Sequence, residues 1–452
     1  MSGRPAAIPG ALSGMGSSLH RLLKRVVDVR PNEMPALLWA WAYIYAVLSS
    51  YYVLRPIRDQ MGVAGGVKNM PWLFMGTLAC MLLLNLPYGA IVKALPRSRF
   101  IALTYRFFAA SLLLFAAAFH FAADGALVWL GRGFFVWVSV FNLFVVSVFW
   151  ALIVDTFSAE DGKRLFGFIA AGATIGAVTG SAITASLATH IPVGALLLLA
   201  AALLEVAVFC IRHLARISAA LNRRPAEAQE TPIGGTVLAG ITHTFRSPYL
   251  ANIVLFMLLF TVTATFIYFQ QADIVSRTLS DRGAQTAYFA RIDLVVNIVT
   301  LTVELFFTAR ILKRIGVGAT LAVLPLITIA GFGTLAALPS LAALMAVQVA
   351  RRAADYAIAR PTREVLYTVV PREDRYKAKS FIDTVVYRIG DQVGAWSYVL
   401  LTGAGLGMTQ VAIVGAALAL AWLANGLWLG RRQDVLAAAM AAATAPARPA
   451  AS

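Results

Sequence analysis

Long apolar runs alternate with short polar joints along nearly the whole chain. Each run is about as long as the ~20 residues a helix needs to cross a hydrocarbon core. Twelve are found, near residues 36–60, 72–94, 99–122, 127–156, 164–189, 193–215, 249–276, 287–312, 316–338, 341–370, 378–403 and 407–430. Their apolar residues are continuous rather than alternating in segments of ~10, which excludes transmembrane strands. The pattern predicts an all-α membrane protein of twelve helices.

The longest polar joint, 217–248, carries Asn222-Arg223-Arg224-Pro225 and Thr231-Pro232 and divides the runs six and six. The predicted organisation is an N-terminal segment at 1–34, a six-helix bundle at 35–216, a cytoplasmic linker at 217–248, a second bundle at 249–432 and a flexible tail at 433–452. Leu19 to Arg30 reads as a basic amphipathic helix lying on the membrane surface. A weak repeat relates the halves. Glu160-Asp161 precedes Phe168-Ile169 by the same offset at which Glu373-Asp374 precedes Phe381-Ile382, and Gly176 and Gly180 are echoed by Gly390 and Gly394. Two six-helix halves with internal similarity are the layout of the major facilitator architecture, for which a monomer is expected.

Composition supports this picture. Of 452 residues, 60% are hydrophobic and 13% charged, whereas soluble domains carry roughly 25% charge. The formal charge of +17 would suggest nucleic acid in a soluble protein. In a membrane protein, basic cytoplasmic loops come first, so membrane lipids are the expected partner and nucleic acid is not. Lys and Arg gather in every second joint, among them Arg21 to Arg30, Lys93 to Arg99, Lys163-Arg164, Arg310 to Arg314 and Arg372 to Lys379. That alternation predicts an inner-membrane, multi-pass protein with both termini cytoplasmic. Cys80 and Cys210 have no metal-ligand spacing, and the chain has no Walker loop and no acid–base or nucleophile constellation. Neither an enzyme nor a cofactor is expected.

The informative residues are charges inside the runs, where each costs at least ~2.5–3.5 kcal/mol unless it meets a partner or a wet cavity. Arg55-Pro56-Ile57-Arg58-Asp59 in span one matches Arg360-Pro361-Thr362-Arg363-Glu364 in span ten. Helical spacing puts both arginines and the acid of each motif on one face, and the proline predicts a local kink. If spans one, four, seven and ten line a central cavity, both motifs face it. Each has more arginine than carboxylate, and arginine cannot deprotonate to escape burial. Its planar fork suits phosphate oxygens. Tyr52, Asp155, Gln270 and Asp293 extend the candidate substrate site, with Tyr51, Phe266, Tyr268 and Tyr356 as candidates for stacking on a flat base. Lys163, Arg351, Asp355, Lys379, Asp383 and Arg388 are read as ion pairs or gates, Arg351 and Asp355 as an i, i+4 pair.

The stretch Ala359-Arg360-Pro361-Thr362-Arg363-Glu364-Val365-Leu366-Tyr367, followed by Lys377-Ala378-Lys379-Ser380-Phe381-Ile382-Asp383 and Arg388-Ile389-Gly390, resembles the nucleotide-transporter family, the ATP/ADP translocases. The family shows Pro-Thr-Lys-Glu-x-x-Tyr there. Span one is similar to its Arg-x-x-Lys-Asp segment, and Lys163-Arg164 with Gly172 to Gly176 is similar to its fifth-span motif. The resemblance implies antiport of ATP- and ADP-like nucleotides, with ATP binding. Its substrate-binding lysines fall on Arg58 and Arg363, and Asp293 is the counterpart of its acidic residue in span eight. The alternative is another organic anion, such as a sugar phosphate, coupled to protons through Asp155 or Asp293.

Overall fold

The computed structural model describes residues 29, 30, 33–94, 97–157, 159–221, 245, 247–371 and 378–444. The expected surface helix at Leu19–Arg30 and most of the linker fall outside these residues, as do the side chains of Asp155 and Lys163. The described chain is helical, without strands. The first half comprises α1 (Met34–Ala64), α2 (Met70–Ala94), α3 (Arg97–Phe121), α4 (Asp124–Thr156), α5 (Ala159–Leu187) and α6 (Val193–Leu221). The second comprises α7 (Pro248–Thr278), α8 (Arg282–Phe306), α9 (Thr308–Ala337), α10 in pieces over 341–366, α11 over 382–403 and α12 (Met408–Thr444). Among the described residues, nine helices are long and apolar enough to cross a membrane. The other three, α8, α10 and α11, are the charge-bearing helices of the second half.

Local sequence explains where several helices begin and end. Ser247, Asp281 and Ser340 are N-caps whose side chains accept from the backbone N–H of Leu250, Ala284 and Ala343 at 3.4, 2.6 and 3.2 Å, each satisfying a donor that the first turn leaves orphaned. The run near 287–312 does not form one helix. α8 stops at Phe306, and α9 breaks at Gly316, whose φ of 75° is the left-handed conformation only glycine adopts cheaply. α12 continues through 433–444, where a flexible tail was expected. The alanine-rich run Leu436 to Thr444 has high helix propensity and extends the turn already formed.

Helix packing repeats with an offset of six. α1 packs on α5 and α6, α3 on α6 and α2 on α4; α7 packs on α11 and α12, α9 on α12 and α8 on α10. The glycine pairs of the sequence repeat sit at equivalent contacts. A Cβ on Gly176 or Gly180 of α5 would overlap the carbonyl oxygens of Tyr45 and Ser49 in α1, and one on Gly390 or Gly394 of α11 would overlap Thr261 and Thr265 of α7. Ser49 Oγ also donates to the Gly176 carbonyl at 3.1 Å.

The halves join at the end of the bundle where α1 finishes and α8 begins. Gln60 Nε2 donates to Gln285 Oε1 at 3.5 Å, and Trp72 meets Trp396 edge-on with ring centroids 5.2 Å apart. Val63 and Met70 are buried in the core of the second half, and Ala287 in that of the first. This exchange of core residues closes that end.

Candidate anion-binding cavity

Among the described residues two helices widen to π turns, α11 at Ile382–Val386 and α10, where the cause is identifiable. The helix runs from Leu341 to Ala354, widens to a π turn at Asp355–Ala359, then resumes at Arg360–Leu366. Pro361 has no N–H and its ring would clash with the carbonyl of Ala357, four residues back. Widening the turn relieves the clash, and Thr308 Oγ1 donates to the released Ala357 carbonyl at 2.7 Å. Pro56 provokes no such interruption: α1 continues through it.

This α10 forms one wall of a cavity of about 340 Å³ between the halves. α1, α2 and α4 contribute from one half and α7, α10 and α11 from the other. Six arginines line it, Arg55, Arg58, Arg351, Arg352, Arg360 and Arg388, against three carboxylates, Asp59, Asp355 and Asp391. The remaining lining is polar or aromatic, including Ser139, Asn142, Gln271, Gln348, Tyr268 and Tyr356.

The pairing leaves guanidinium capacity over. Asp293 of α8, buried behind the lining, receives Arg55 Nη1 at 3.4 Å and Arg352 Nη1 at 2.7 Å on the same oxygen, bridging the halves. Arg58 Nη2 lies 2.7 Å from Asp59 Oδ1, which also accepts from Tyr268 OH at 3.0 Å, a second link between halves. Arg360 Nε donates to Asp355 Oδ2 at 3.3 Å, and Arg388 Nη1 lies 3.6 Å from Asp391 Oδ2. Yet Nε and Nη2 of Arg351, Nε and Nη2 of Arg352 and Nε of Arg55 are buried without a hydrogen-bond partner among the described residues. Stripping a charge of its partner in a buried site costs ~3–5 kcal/mol. Arg351 instead stacks over the Phe260 ring, its guanidinium carbon 5.7 Å from the centroid, as Arg360 does over Tyr356 at 4.3 Å.

Several residues singled out in the sequence are placed differently. Arg363 is not in the lining. Its Nη1 donates to Met257 Sδ at 2.7 Å, and its Nη2 is 3.9 Å from Asp355 Oδ1. Glu364 is exposed and pairs with Lys379. The rule that i, i+3 and i+4 share a face holds for Arg360 and Arg363 as helix neighbours, but the inner end of α10 packs against α7 and divides them. Gln270 faces α12, its Nε2 donating to the Met408 carbonyl at 3.4 Å, and its neighbour Gln271 faces the cavity instead. Phe266 is core. Tyr52 stands behind Arg55, 5.7 Å from its guanidinium carbon. Asp383 and Lys379 are off the cavity. Asp355 pairs with Arg360 and Arg363 through the π turn, not with Arg351 at i−4.

The two Arg-Pro motifs do not stand opposite each other. α1 and α10 run in opposite directions, so the same C-terminal position lies at different depths. Arg55 meets Arg352, eight residues before Arg360, which is about 12 Å along a helix axis. The sequence reads Arg351 and Asp355 as an ion pair or gate, with Arg352 beside them as a further charge in the span; the structure puts all three in the cavity lining. Their signal was present as adjacent charges in an apolar run.

Comparison with solved structures gives the fold. The chain is similar to a bacterial homolog of the human lysosomal transporter Spinster, in an inward-facing and unoccupied conformation, at 17% identity and TM-score 0.53, covering 92% of this chain and 96% of that one. It is similar to the nucleoside transporter NupG at 13% identity and TM-score 0.54, covering 91% and 99%. It is also similar to a bacterial homologue of the iron transporter ferroportin, inward-facing, at 11% identity and TM-score 0.61, covering 88% and 98%. No family model matches the chain. No curated protein matches it either. The chain shares the fold of these membrane transporters, with nine helices among the described residues long and apolar enough to cross a membrane.

Proposed function

We propose that the chain is a transporter of phosphorylated organic anions, nucleotides first among them, exchanging them across the inner membrane. It moves by rocking two six-helix halves, 35–216 and 249–432, about a site between them, with both termini cytoplasmic. The observation that carries the reading is the surplus of arginine in the cavity: six guanidinium groups, three lining carboxylates, and buried N–H groups of Arg55, Arg351 and Arg352 without partners. Phosphate oxygens are acceptors in number and carry the missing charge, and a planar guanidinium binds them through two bonds at once. The resemblance of 359–390 to the ATP/ADP translocases supports the nucleotide. Arg58 stands in the cavity where that family has a substrate-binding lysine. Arg363 stands behind the lining, its guanidinium carbon 5.2 Å from the centroid of the Phe260 ring and its Nη2 3.9 Å from Asp355.

Exchange rather than uniport follows from the same surplus. A carrier without its anion must bury the partnerless arginines again as it reorients, a cost that cargo removes. The volume, about 340 Å³, is near the small end of the ~300–1,000 Å³ common for ligand pockets. It favours a second reading, a sugar phosphate or similar small ester, with proton coupling as its companion.

The test is uptake of labelled ATP into proteoliposomes preloaded with ADP, beside uptake of a labelled sugar phosphate into vesicles preloaded with the unlabelled ester, each with and without a pH gradient. Uptake that needs internal nucleotide supports the first reading. Uptake driven by sugar phosphate or by the pH gradient replaces it with the second. No uptake of either anion removes the cavity as a phosphate site.

A further inference from the structure

A second cavity lies on the opposite side of the first half and shares none of the chemistry of the first. It is a groove of about 1,250 Å³ among α2, α3 and α4, walled by apolar and aromatic side chains. Along α2 its lining extends from Trp72 to Leu84, about 18 Å of helix. One leaflet contributes half of a ~30 Å hydrocarbon core, so the groove is long enough for an extended acyl chain. Its rim carries exposed apolar residues, with Trp72, Leu103, Phe107 and Trp129 each more than half exposed. On a membrane-spanning bundle such a rim faces lipid.

The groove has one charge, Arg132. Its Nη2 donates to the Gly65 carbonyl at 3.3 Å, in the turn between α1 and α2. The guanidinium therefore reaches the end of the bundle, at headgroup depth, while its stem follows the apolar wall. Its carbon lies 4.5 Å from the Trp129 ring centroid. Its Nε is buried without a hydrogen-bond partner, and no lining residue of the groove is acidic. A cation with a spare donor heads an apolar slot flanked by Trp72 and Trp129, the residue type that sits at membrane interfaces.

We propose that this groove is a binding site for an anionic phospholipid of the leaflet at that end, its phosphate on Arg132 and one acyl chain between α2, α3 and α4. The charge complement selects an acidic headgroup, and the aromatic wall takes the chain without regard to its exact structure.

Native mass spectrometry of the full chain released from nanodiscs of phosphatidylcholine and phosphatidylglycerol tests this. Wild type is expected to retain one phosphatidylglycerol per chain in preference to phosphatidylcholine. Arg132→Gln should lower that preference about fivefold, the effect of one cation beside an anionic surface, and Arg132→Lys should keep it. Gly133→Leu, at an exposed groove position where an added Cβ meets nothing within 4 Å, should fill the slot and remove both lipids while leaving the melting temperature unchanged. Equal retention in wild type and Arg132→Gln would overturn the headgroup contact. A lipid-free dimer of the wild type would overturn the proposal by giving the groove to a second copy.

Discussion

Asp293 and Arg351 are opposite cases at the scale of single residues, and their substitutions separate structure from function. Asp293 holds two arginines from different halves on one oxygen. Asp293→Asn leaves both buried guanidinium groups without their counter-charge, a loss of ~3–5 kcal/mol for a broken buried pair. Its melting temperature in detergent should fall well below wild type. Added ATP should restore more of it than it adds to wild type, because the anion replaces the lost charge. Arg351→Gln is expected to do the reverse. Removing a buried cation whose Nε and Nη2 have no partners should leave the ligand-free melting temperature equal or higher, and abolish exchange and the nucleotide-induced shift. A less stable Arg351→Gln variant that still exchanges would make Arg351 structural. The charges of this site were legible in the sequence as violations of lipid solubility, and Arg55, Arg58 and Arg360 were picked out that way. Which of them share a space was not legible. The one-face rule presumes an uninterrupted helix, and sequence position alone does not say that α1 and α10 reach the cavity at different depths.

Elements tell a more complete story. Most apolar runs coincide with a helix, because length and apolarity are local properties; the run near 287–312 divides between α8 and α9. The repeat Gly176, Gly180, Gly390, Gly394 found its physical reason in two equivalent close approaches, α5 on α1 and α11 on α7. Gly180→Val should therefore prevent α5 from seating and reduce the yield of folded protein, while Gly133→Ala, with open space around it, should be neutral; size-exclusion profiles of the two variants check this. The π turn of α10 could not be read from Pro361 alone, since Pro56 sits in a matching motif and leaves α1 uninterrupted. What distinguishes them is a partner. Thr308 Oγ1 satisfies the carbonyl that Pro361 orphans. Thr308→Val keeps the shape and removes the donor, leaving that carbonyl unsatisfied at a cost of ~1–3 kcal/mol. A lower melting temperature is expected. Exchange should be impaired as well, because the π turn sets the register of Arg351, Arg352 and Tyr356 against Arg360.

At the scale of the whole molecule, two halves related by a six-helix offset exchange core residues at one end, through Val63, Met70 and Ala287. The proposed rocking would require that these contacts part while the arginine bridges of the cavity rearrange. The bridges Arg55–Asp293 and Asp59–Tyr268 both join the halves just inside that closed end, so cargo that takes over the arginines also loosens the closure beside them. Coupling between occupancy and reorientation is then a matter of shared residues, with no longer pathway needed. The consequence can be tested by fixing the end shut. Gln60 and Gln285 face each other across the halves at 3.5 Å, on helices that rocking must separate. A Gln60→Cys, Gln285→Cys variant in which Cys80 and Cys210 are replaced by serine should exchange substrate when reduced. Bridged by a bifunctional methanethiosulfonate reagent, which spans the gap the two glutamine side chains fill where a direct disulfide would be too short, it should bind ATP from the open end yet fail to exchange, and a reductant should restore transport. Exchange that persists under full cross-linking would mean that this end does not open during transport, and the rocking mechanism would have to yield to one in which cargo enters and leaves without separation of α1 from α8.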